Sequence, residues 1–134
     1  MSDNVPLDAL IVVVDGAGGK TFRNRAGDGS VKLEHTSDLG PKELEDDGPA
    51  GNRPPESTPR ETDEATFAKQ LAEWLYREAG RGTYDHLVLA ADPQTLGQIR
   101  PSLHQEVTRR LVKEVGKTLT NSPVPDIERS IAAS

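Results

Sequence analysis

Apolar residues fall into short blocks separated by polar, glycine- and proline-rich stretches, and the spacing inside each block predicts the element it forms. Ala9 to Val14 is an unbroken apolar run between Asp8 and Asp15, rich in β-branched residues. Such a block predicts a strand buried on both faces and central in its sheet. Lys20 to Arg25 alternates around Phe22, and Ala26-Gly27-Asp28-Gly29 supplies residues that tolerate positive φ in a turn before Ser30 to His35. Two antiparallel hairpins are therefore expected. Phe67, Leu71, Trp74 and Leu75, with Ala68, Ala72 and Ala79, then recur at helical spacing until Gly80 and Gly82. Thr58-Pro59-Arg60-Glu61 opens that helix with a capping hydroxyl, a proline at the first position and a carboxylate at the third. Trp74 reads as core.

Asp85 to Ala91 is a second short apolar strand, closed by Asp92-Pro93, where the aspartate caps a helix whose first residue is proline. That helix is expected over Pro93 to Gln98, with another starting at Pro101. Val107, Leu111, Val115 and Leu119 lie four apart, a periodicity that predicts a helix, although Leu111 to Val115 also satisfies a strand. Ser122-Pro123-Val124-Pro125 leads into a short final helix carrying Ile127 and Ile131. Strands mixed with helices at this spacing predict one α/β domain over 1–134, with residues 1–7 as a tail.

Charge changes this picture in one place. The chain has 22 acidic and 16 basic residues, a net charge of −6. Residues 34–64 hold ten acidic and three basic residues, five of the ten prolines, and only Leu39, Leu44 and Ala50 as apolar positions. Such a composition buries too little surface to offset chain ordering, so a mobile acidic loop rich in proline and glycine is expected over 37–57. Outside the acidic stretch the chain is nearly neutral and its apolar share rises above the overall 34%. The absence of cysteine excludes disulfides and thiolate chemistry. Six consecutive apolar residues fall far short of the roughly 18 that span a bilayer. The first eight residues have two aspartates and no lysine or arginine, unlike a secretory leader, so no membrane partner and a cytoplasmic location are expected.

Candidate chemistry is sparse. Gly16-Ala17-Gly18-Gly19-Lys20-Thr21 follows a buried strand, but a phosphate loop ending there needs glycine at Val14, and the dinucleotide pattern from Gly16 needs glycine at Thr21. A hairpin turn is the reading. Asp15 and Asp92 each end an apolar strand. If those strands are parallel neighbours, both carboxylates emerge at one carboxyl edge, where Mg²⁺ with Glu114 as third ligand would serve phosphoryl chemistry. Turn and helix capping is the competing role for both. His35, His86 and His104 lack metal-ligand spacing, and no G-x-S-x-G elbow occurs. Arg100, Arg109, Arg110, Lys113 and Lys117 form a basic cluster that suits either phosphate or a solvated face. No catalytic residue, resident metal or cofactor is assigned.

Several blocks together resemble the bacterial host attachment protein family over residues 8–132. They are the Asp15-Gly16-Ala17 turn before the Phe22 strand, the acidic loop, and Pro59-Arg60-Glu61 leading to Phe67-Ala68 and Leu71-Ala72. Further along come Asp85 to Pro93, Thr95-Leu96-Gly97-Gln98-Ile99-Arg100, and Lys117-Thr118-Leu119-Thr120 with Pro123. The most specific positions are Leu96, Gly97 and Arg100, then Lys117, Leu119 and Thr120. That family is similar to the middle domain of archaeo-eukaryotic peptide chain release factors. The resemblance implies a mixed five-stranded sheet of ribonuclease H-like type with flanking helices. Its first three strands are antiparallel, its fourth is parallel to the first, and Leu111 to Val115 becomes the fifth, against the periodicity.

In release factors the loop before the long helix carries a Gly-Gly-Gln tip that enters the peptidyl transferase centre. The corresponding loop here has Gly48, Gly51, Asn52 and Arg53 as recognition candidates, and no Gly-Gly-Gln occurs in the sequence. The resemblance thus implies a non-enzymatic binding or regulatory module acting on the ribosome or another RNA machine, without peptidyl-tRNA hydrolysis. Two other readings compete: a Mg²⁺-dependent nuclease or phosphatase using Asp15 and Asp92, and attachment to host cells, which the family's name implies.

Overall fold

The computed structural model describes residues 5–15, 18–26, 30–39 and 59–133. Its strands are β1 (Leu10–Val14), β2 (Gly19–Asn24), β3 (Leu33–Leu39), β4 (Leu87–Ala90) and β5 (Leu111–Val115). Its helices are α1 (Pro59–Gly80), α2 (Pro93–Ile99), α3 (Gln105–Thr108) and α4 (Val124–Ala133), with a 3₁₀ turn at Arg100–Ser102. The strands form one mixed sheet in the order β3-β2-β1-β4-β5. The β1–β2 and β2–β3 pairs are antiparallel, while β4 lies parallel to both β1 and β5.

Central β1 is buried throughout, as its continuous apolar run requires. Leu10, Val12 and Val14 face Phe67, Leu71 and Leu75 of α1, with Leu96 and Ile99 of α2 and Val107 of α3 in the same cluster. Ile11 and Val13 face the other way, joining Phe22, Val88, Ala90 and Val115 beneath Ile127 and Ile131 of α4. Trp74 packs at the margin of the first cluster, half-buried instead of central.

Four expectations are settled or corrected. First, Leu111 to Val115 is the fifth strand that the resemblance implies, against the helical periodicity: Val107 belongs to the one-turn α3, and Leu119 lies in the loop after β5. The four-residue spacing that favoured a helix therefore runs through three different elements. Leu87 pairs with Leu111 but Val88 with Lys113, so Val112 is bulged and the faces of Lys113 and Glu114 are reset. Second, β3 begins at Leu33 and continues through Ser37 and Asp38 to buried Leu39, so the expected loop starts inside a strand. The Thr21 hydroxyl holds it there, hydrogen-bonded to Thr36 Oγ1 at 2.7 Å and Ser37 Oγ at 2.8 Å. Third, the helix expected from Pro101 is a short 3₁₀ turn followed by α3. Fourth, the expected tail is docked at its inner end: Val5 is buried, and its carbonyl accepts a hydrogen bond from Asn24 Nδ2 at 2.9 Å.

Candidate functional site: the carboxyl edge of the sheet

Parallel pairing of β1 with β4 places Val13 opposite Ala90, so Asp15 and Asp92 stand two residues beyond the last pair on neighbouring strands. The two carboxylates thus share the carboxyl edge, where open α/β sheets place ligands. The segment after β5 reaches the same edge, because Val115 is the partner of Ala90. The antiparallel β2–β3 hairpin adds Gly19 and Leu39, which pair with each other beside the end of β1.

Each carboxylate is engaged by donors of the chain itself. Asp15 Oδ1 accepts from the Gly18 amide at 3.1 Å, while the Asp15 amide donates to the Gly18 carbonyl at 2.8 Å. Asp15 Oδ2 accepts from Thr120 Oγ1 at 3.0 Å, a bond between residues 105 apart in sequence. The Asp15 carboxylate therefore joins the β1–β2 turn to the β5–α4 loop. Asp92 is the N-cap of α2: Oδ2 accepts from the Thr95 amide at 3.1 Å and Oδ1 from the Thr95 hydroxyl at 2.7 Å. The Thr95 hydroxyl bond is the main cause holding the Asp92 carboxyl below its ordinary range.

Glu114, weighed as a third metal ligand, forks with Arg100 instead. Arg100 Nε donates to Oε1 at 3.0 Å, and an Nη donates to the same oxygen at 2.5 Å. This pair ties the end of α2 to β5. No group of three or more potential metal-binding side chains is gathered among the described residues.

The motif positions divide by role. Leu96 is core, Thr120 is the buried donor to Asp15, and Arg100 is the clamp on β5. Lys117 is exposed at the edge, and Gly97 is exposed on α2. Gly48, Gly51, Asn52 and Arg53 lie outside the described residues. The glycine run also has a packing reason: a Cβ on Gly19 would sit 2.1 Å from the Val13 carbonyl oxygen. Close approach of β2 to β1 requires the glycine there, and the chain continues as a strand instead of the helix a phosphate loop needs.

The histidines and the basic cluster take surface roles. His35 Nε2 is hydrogen-bonded to Asp38 Oδ1 at 2.9 Å, and its ring meets Phe22 edge-on. His104 Nδ1 accepts from the Glu106 amide, capping α3, while the ring stacks on Tyr76 at 4.0 Å; His86 is exposed. Arg109 and Arg110 pair with Glu106, and Lys113 donates to the Ile131 carbonyl. Beside the edge, between the β2–β3 hairpin and the start of α4, Lys20, Phe22, Asp38, Ser122 and Val124 line a groove of about 330 Å³.

Sequence reasoning did not find the Asp15–Thr120 and Arg100–Glu114 links. The only advance signal for them was that Thr120 and Arg100 recur in the resemblance blocks. No helix among the described residues is long and apolar enough to cross a membrane. The model of bacterial archaeo-eukaryotic release factor family 12 matches residues 8–131. No curated protein matches the chain.

Proposed function

Because the chain belongs to bacterial archaeo-eukaryotic release factor family 12, we propose that it is a non-catalytic binding module of the translation machinery, docking on the ribosome through the carboxyl edge of its sheet. The observation that carries this reading is the placement of polar positions at one edge with their carboxylates committed to structure. Asp15 is held by Gly18 and Thr120, and Asp92 by Thr95. These bonds make the edge a rigid platform. The chain leaves that platform at Leu39, so the acidic segment that follows, with Gly48, Gly51, Asn52 and Arg53, is rooted there.

Peptidyl-tRNA hydrolysis is not part of the proposal. The sequence has no Gly-Gly-Gln, the tripeptide on which release chemistry rests in the factors it resembles. A Mg²⁺-dependent nuclease or phosphatase at Asp15 and Asp92 is the second reading, favoured by their equivalent register positions. It requires both carboxylates to surrender the donors they now hold, and those donors support the platform role instead. The test is sedimentation of the tagged protein through sucrose gradients from growing and stressed cells. Co-migration with ribosomal particles is expected, and absence from those fractions in both states overturns the reading. Mg²⁺-stimulated cleavage of RNA that Asp15→Asn abolishes would establish the nuclease in its place.

A further inference from the structure

We draw no further inference here: the strongest candidate, the groove between the β2–β3 hairpin and the start of α4 lined by Lys20, Phe22, Asp38 and Val124, carries nothing, because Asp38 is the register partner of its one lysine and nothing in the structure shows what covers its apolar part.

Discussion

Asn24 gives the sharpest stability prediction. It is a fully buried polar side chain at the end of β2, and it serves five main-chain groups in three segments. Its Nδ2 donates to the carbonyls of Val5 at 2.9 Å, Pro6 at 3.2 Å and Ser30 at 3.2 Å. Its Oδ1 accepts from the amides of Lys32 at 2.9 Å and Ala26 at 3.2 Å. Asn24→Leu keeps the volume and removes all five contacts. Typical net hydrogen-bond contributions of about 0.5–1.5 kcal/mol each, with two shared contacts counted weakly, put the loss at about 3 kcal/mol. For a domain of this size that is a large part of a total of about 5–15 kcal/mol and lowers Tm by about 10 °C. Urea unfolding followed by circular dichroism measures it directly. Asn24→Asp should cost at least as much near neutral pH, because it keeps the acceptor but places a carboxylate oxygen among three carbonyls. Part of that loss should return in mild acid, when the carboxyl regains a proton. A penalty under about 1 kcal/mol for Asn24→Leu would refute the claim that this side chain holds the N-terminal segment and the β2–β3 turn together.

Other substitutions test single contacts. Tyr84 donates its hydroxyl to the Leu75 carbonyl at 2.7 Å, and burial pushes its pKa up to about 12 from 10. A raised folded-state value means that this group's contribution is fully present below pH about 10 and lost as pH climbs toward about 12. Alkaline unfolding in that window should be shallower in Tyr84→Phe, as read by circular dichroism. The Asp92 carboxyl is held low, so its contribution is present above the ordinary 3.8 and is lost as pH falls through its lower folded-state value. Asp92→Ala should remove that acid-side dependence and lower stability by about 1 kcal/mol, with faster amide exchange in α2. Thr120→Val should cost about 1 kcal/mol and loosen the β5–α4 loop, visible as exchange broadening of Gly18 and Asp15 amides in NMR spectra.

Elements whose pattern is complete within a few residues could be read from the chain. Ala9 to Val14 is apolar at every position, short and rich in β-branched residues, which favours a strand covered on both faces. Phe67 to Ala79 repeats with one helical period over several turns. Asp92-Pro93 needs only Thr95, three residues on, to cap its helix. Even the shared edge of Asp15 and Asp92 followed once β1 and β4 were taken as parallel neighbours. The fifth strand was not legible from its own residues. Leu111 to Val115 fits a helical or an extended period, and pairing with β4 selects the extended one.

What the amino-acid sequence determined alone was therefore the local layer: the central strand, the long helix, the capped helix after β4 and the concentration of negative charge between β3 and α1. These depend on side-chain periodicity and turn chemistry, which act between residues a few positions apart. The tertiary structure decided the edge strand, the bulge at Val112, the burial of Asn24 and the use made of the polar motif residues. Asp15 meets Thr120 across 105 positions, and Arg100 meets Glu114 across 14. Whether a carboxylate caps, clamps or binds depends on which donors the folded chain brings to it, and no spacing rule along one strand of sequence contains that.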